Sequence, residues 1–140
     1  MKIEKRRMVV ECDLFVADDG MEFETEKECT EYEQLCARQN AAVEKIEQCR
    51  DLEGKANCNG AENYTYYEYH WYRPQNKEEI AALNAVYGSV VDDSCIGKWL
   101  CIESEPHGDE HFCSMLDDGI AYVRNLLEVI GYDLTITPRA

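Results

Sequence analysis

FVADDGMEFETEKECTEYE, residues 15–33, decides how the first half of this chain folds. Asp19 and Gly20 close the run ADDG, and a glycine there supplies the positive φ that a tight hairpin turn needs. Residues 8–16 (MVVECDLFV) are therefore predicted as a strand, and 21–23 as the start of its return. Thr25 follows as a helix N-cap with Glu28 three residues on, the spacing of a capping box. From there Cys29, Tyr32, Cys36, Val43 and Ile46 recur at helical spacing and predict one amphipathic helix over about 26–50. Such a helix is about 37 Å long. Its apolar stripe exceeds what a small core covers, which points to self-association and a homo-oligomer.

Working outward, residues 51–63 (DLEGKANCNGAEN) lose all periodicity and read as a loop. TYYEYHWYR, residues 65–73, is a strand by composition, stopped by Pro74. Asn76 caps a second helix with Glu79 in support; Ile80, Leu83 and Tyr87 line one side of it and Gly88 ends it. KWLCIES, residues 98–104, reads as a strand. Ile120, Val123, Leu127 and Ile130 mark a third helix ending at Gly131, and Tyr132, Leu134 and Ile136 alternate in a final strand. The fold class expected is α+β: an N-terminal β-hairpin and long amphipathic helix (1–54), a linker (55–63), then a β-α-β-α-β mixed sheet (64–140).

The charge is as informative as the periodicity. Glu11, Asp13, Asp18, Asp19, Glu22, Glu24, Glu26, Glu28, Glu31 and Glu33 crowd 11–33 against Lys27 alone, and Asp92, Asp93, Glu103, Glu105, Asp109, Glu110, Asp117 and Asp118 crowd 92–118 against Lys98. These two blocks hold more than the whole formal net charge of −15, because the first seven residues are basic. A field of that sign repels nucleic acid and attracts basic protein surfaces, so direct nucleic-acid binding is not expected. No run approaches the roughly 20 apolar residues of a membrane span, and MKIEKRRMVV lacks the apolar core of a signal peptide. The expectation is a soluble protein of the cytoplasm with its eight cysteines reduced.

Chemistry is thinly signalled. Cys101, His107, His111 and Cys113 lie within thirteen residues, but the paired Cys-x2–4-Cys spacing of structural zinc sites is missing, so no metal and no cofactor are expected. There is no glycine-rich phosphate loop, no G-x-S-x-G and no H-E-x-x-H. The chain is not expected to be an enzyme. Tyr64, Tyr66, Tyr67, Tyr69, Trp71 and Tyr72 place rings on both sides of one strand. They read as a central strand covered on both faces, as a protein contact surface, or as a stacking pocket for a nucleobase.

FVADDGMEFETEKECTEYE (15–33) resembles the opening of small proteins from phages and prophages of Gram-positive bacteria, and HWYRPQNKEEIAALNAVYG (70–88) is similar in style to a second segment of such proteins. The resemblance implies an accessory protein of a mobile element, a group that includes anti-CRISPR and other counter-defence proteins, acting in the host bacterial cell. Joined to the charge, it gives the leading expectation. The chain would inhibit a defence nuclease by placing carboxylates of Asp18, Asp19, Glu22, Glu24, Glu28, Glu31, Asp109 and Glu110 where phosphates bind a basic channel, anchored by Tyr67, Tyr69 and Trp71. The alternatives are a sponge for a nucleotide immune signal, with Arg73 or Arg124 on the phosphate, and an oligomeric assembly protein.

Overall fold

A computed structural model describes residues 1–52, 68–105 and 110–139. The fold is α+β, with three helices, a two-stranded sheet and a four-stranded sheet. It divides into two compact units, Met1–Arg38 and Gln39–Ala140.

The first unit is built on the hairpin turn. β1 (Phe15–Val16) and β2 (Glu22–Phe23) pair antiparallel, Phe15 opposite Phe23 and Val16 opposite Glu22. Gly20 takes φ +89°, Ala17 N donates to Met21 O at 2.8 Å, and Asp19 Oδ1 accepts from Met21 N at 3.1 Å. The strand expected over 8–16 pairs only at its last two residues. The return strand is cut short by Thr25, whose hydroxyl accepts from Glu28 N at 3.2 Å and starts α1 (Glu26–Glu44), so nothing remains in the hairpin for 8–14 to pair with. Ala17 and Cys29 are the buried residues here, and the Phe23 and Tyr32 rings meet at 5.0 Å.

α1 ends at Glu44 rather than at Arg50. Its last turn tightens, Ile46 N donating to Val43 O at 3.0 Å, and both side chains enter the core of the second unit. The chain then leaves as β3 (Glu47–Gln48), a strand too short to announce itself by alternation. β3 joins β4 (Glu68–Arg73), β5 (Leu100–Ser104) and β6 (His111–Met115) in the order β3-β4-β5-β6, every pairing antiparallel.

Side-chain alternation divides the sheet's two faces. On one, Tyr72, Leu100 and Ile102 join Val43, Ile46, Val91, Cys95 and the α2 (Lys77–Tyr87) residues Ile80 and Leu83. On the other, Tyr69, Trp71 and Cys101 are covered by Cys49, Leu52, Trp99 and Leu116. Asn76 caps α2 as expected, Oδ1 accepting from Glu79 N at 2.9 Å, while Glu79 accepts from Gln75 N at 2.7 Å instead of from the cap residue. Asn84 then ties the following segment down, its amide donating to Val91 O and accepting from Val91 N.

Beyond β5 the element order departs from the expected one. HFCSM, residues 111–115, forms β6 against β5, and α3 (Leu116–Val129) follows it directly. The strand expected over 132–136 is absent: Tyr132 N turns back onto Leu127 O at 2.8 Å, and Tyr132 and Ile136 are exposed. α3 buries no residue, and Tyr122, Val123, Leu126 and Val129 are exposed along it.

Candidate functional site

The acidic hairpin and the first half of α1 form the most concentrated chemical feature of the molecule. Asp18 and Asp19 stand on the turn, Glu22 on β2, Glu24 beside the cap, and Glu28 and Glu31 on α1; every one is exposed. Local hydrogen bonds hold several of them in place. Tyr32 donates to Asp19 Oδ2 at 2.6 Å, which with the bond from Met21 N keeps the Asp19 carboxyl below its ordinary range. The same bond pushes the Tyr32 phenol well up. Thr25 donates to Glu28 Oε2 at 3.0 Å, and Glu33 Oε1 accepts from Asp18 N at 3.2 Å. Beneath them the Cys29 thiol is raised by burial and then by Glu33, Asp18 and Asp19, so it stays protonated and inert.

Cations do little to offset this charge. Among the described residues the one ion pair within 11–33 is Lys27 Nζ to Glu31 Oε1 at 3.7 Å. The second acidic block differs. Asp92 caps a short helical turn at Ser94 and is lowered by it, Asp93 pairs with Lys77 at 3.3 Å, and Asp117 and Asp118 sit in the first turn of α3, where the helix dipole favours them. Glu103 lies half-buried in β5, and Glu110 is exposed beside β6. Among the described residues the second block is thus spread over separate structural tasks. Asp109 lies outside the described residues.

Two of the three aromatic anchors expected from the sequence, Tyr69 and Trp71, are not available to a partner. Tyr69 and Trp71 are 2% and 5% exposed and form the core of one sheet face, so the covered central strand is the reading that the burial supports. Tyr67, with Tyr64 and Tyr66, lies outside the described residues. The nucleotide-stacking arrangement also loses a cation, because Arg73 grips Glu47 through two bonds of 2.7 and 2.6 Å and lies 5.2 Å from the Trp99 ring centre. Of the helix stripe read for self-association, Cys29, Val43 and Ile46 are buried while Tyr32 and Cys36 are half-buried.

The sheet separates the residues weighed as metal ligands. Cys101 faces Trp71 on one side, while Cys113, opposite Ile102, packs against the core cluster on the other; His107 lies outside the described residues. Among the described residues no three His, Cys, Asp or Glu side chains converge as a metal set would.

Two polar features escaped the sequence reading because they depend on pairing register. Ser104 sits opposite His111, and Ser104 Oγ lies 2.8 Å from His111 Nδ1; the Tyr87 ring meets His111 edge-on at 5.4 Å and shares a 2.7 Å hydroxyl contact with Tyr72. A serine beside an imidazole is the start of a nucleophile and base, but Ser104 is only 7% exposed and serves the fold. Glu103 stands between Tyr69 and Phe112 across the sheet, its Oε1 buried without a hydrogen-bond partner among the described residues, and burial raises its pKa. Among the described residues no helix is long and apolar enough to cross a membrane. No protein-family model, no curated protein and no solved structure matches this chain.

Proposed function

We propose that the protein is a non-enzymatic inhibitor of the anti-CRISPR kind, which lays its acidic hairpin and helix face on the basic nucleic-acid channel of a bacterial defence nuclease. The observation that carries this reading is the exposed carboxylate cluster over 18–31, in which local hydrogen bonds fix Asp19 and Glu28 and Lys27 alone among the described residues offsets the charge. Carboxylates held on a hairpin and the helix after it are pre-ordered, as phosphates on a backbone are, so less freedom is lost when a rigid basic surface meets them. Crowding them opposes folding through self-repulsion, a cost that a merely solubilising surface avoids by scattering its charge.

The burial of Tyr69 and Trp71 leaves this face predominantly electrostatic. Binding is then fast and steeply weakened by salt. The test is affinity capture from a bacterial lysate at low salt. A basic nucleic-acid-binding protein should be retained and eluted by about 0.5 M NaCl, where screening lengths fall to a few ångströms. Replacing Asp18, Glu22, Glu24 and Glu31 by lysine, with Asp19 kept because it holds Tyr32, should abolish retention. Equal retention by that variant would sink the proposal.

A further inference from the structure

Residues 5–13 (KRRMVVECD) carry a strand sequence that has no strand partner among the described residues. All of them are exposed, and among the described residues no backbone hydrogen bond falls on them. Val9 and Val10 stand 90% and 74% exposed, next to a hairpin whose return strand has already ended. Lys5, Arg7, Glu11 and Asp13 make no ion pair among the described residues; Glu4 takes Arg6 and Lys2 instead. An exposed, unpaired segment with an apolar centre, here Met8 to Val10, is a template for another strand.

We infer that residues 5–13 pair antiparallel with the same residues of a second copy of this chain, with Val9 opposite Val9. The alternate positions Lys5, Arg7, Val9, Glu11 and Asp13 read positive, positive, neutral, negative, negative. About a two-fold axis at Val9, Arg7 of each copy faces Glu11 of the other and Lys5 faces Asp13, so four opposite-charge pairs form at once. On the other side Met8 faces Val10. Moving the register by one or two residues in either direction breaks both kinds of pair and leaves one new kind in their place, and in-register parallel pairing sets like charges side by side. The charge pattern therefore selects both the partner and the alignment. Each segment runs on into β1, so the pairing joins two hairpins in one antiparallel sheet, where an isolated pair of strands is marginal. This inference does not rest on the proposed inhibition.

The test is sedimentation of the full chain at tens of micromolar. Wild type should be dimeric. Glu11→Lys with Asp13→Lys makes positions 5, 7, 11 and 13 uniformly basic, and Lys5→Glu with Arg7→Glu makes them uniformly acidic. Each variant alone should lose at least about tenfold in dimer affinity, and an equal mixture of the two should recover a heterodimer. Register is checked by oxidation in a Cys12→Ser background: Val9→Cys should form a disulfide-linked dimer, because directly opposed residues lie within bonding distance, and Leu14→Cys should not. A monomeric wild type, a dimer that survives both charge swaps, a mixture that stays monomeric, or equal cross-linking at 9 and 14 would each overturn the inference.

Discussion

At the scale of single residues, two carboxyls respond to pH in opposite senses. Asp19 is held below its ordinary range by Tyr32 and Met21, so its contribution to stability is present above the unfolded value of about 3.9 and fades as pH falls through the folded one. Tyr32→Phe keeps the ring against Phe23 and removes the hydrogen bond. It should move the onset of acid unfolding to higher pH, which circular dichroism from pH 6 to 2 measures. Glu103 behaves in reverse. Burial raises its folded pKa, so ionisation opposes folding, and this cost is absent below about pH 4.3 and sets in as pH rises through the folded value. Glu103→Gln should raise the melting temperature at pH 7 and leave it nearly unchanged at pH 4. A variant less stable at pH 7 would show that the carboxylate is wanted in its charged form.

Between elements, stability is uneven. Leu83 is wholly buried at the centre of the α2 contact with the sheet, and Leu83→Ala should cost about 2–5 kcal/mol in urea unfolding. Leu126 on α3 is half exposed, and Leu126→Glu should stay within about 0.5 kcal/mol of wild type. The same contrast explains what the sequence could tell. The hairpin turn, the Thr25 and Asn76 caps and the Gly88 and Gly131 stops were legible, because each is decided by a few adjacent residues. β3 and β6 were not. Glu47–Gln48 is too short to show alternation, and HFCSM carries a histidine and a serine whose strand state depends on lying against β5. Tyr132, Leu134 and Ile136 alternate like a strand but meet no partner, and Tyr132 closes the end of α3 instead. The acidic face was legible as charge. The burial of Tyr69 and Trp71 was one of the readings the aromatic strand allowed, a central strand covered on both faces, but composition alone does not choose it over an exposed contact surface.

For the whole molecule, salt acts on each property with a sign that follows from where the charges sit. The ten acids crowded over 11–33 against Lys27 alone repel one another within the folded hairpin and helix more than in the expanded chain, so screening favours folding. Thermal melts should therefore rise between about 0.01 and 0.5 M NaCl, as the screening length falls from about 30 Å to a few ångströms. Capture of a basic partner draws on opposite charges across an interface, so it should weaken over the same range. Neutral osmolyte in place of salt separates the causes. Sucrose strengthens burial without screening, so it should raise the melting temperature while leaving partner retention intact. If salt lowered the melting temperature instead, the acidic face would be held by cations within the fold, and carboxylates already satisfied would have little to offer a phosphate-binding channel.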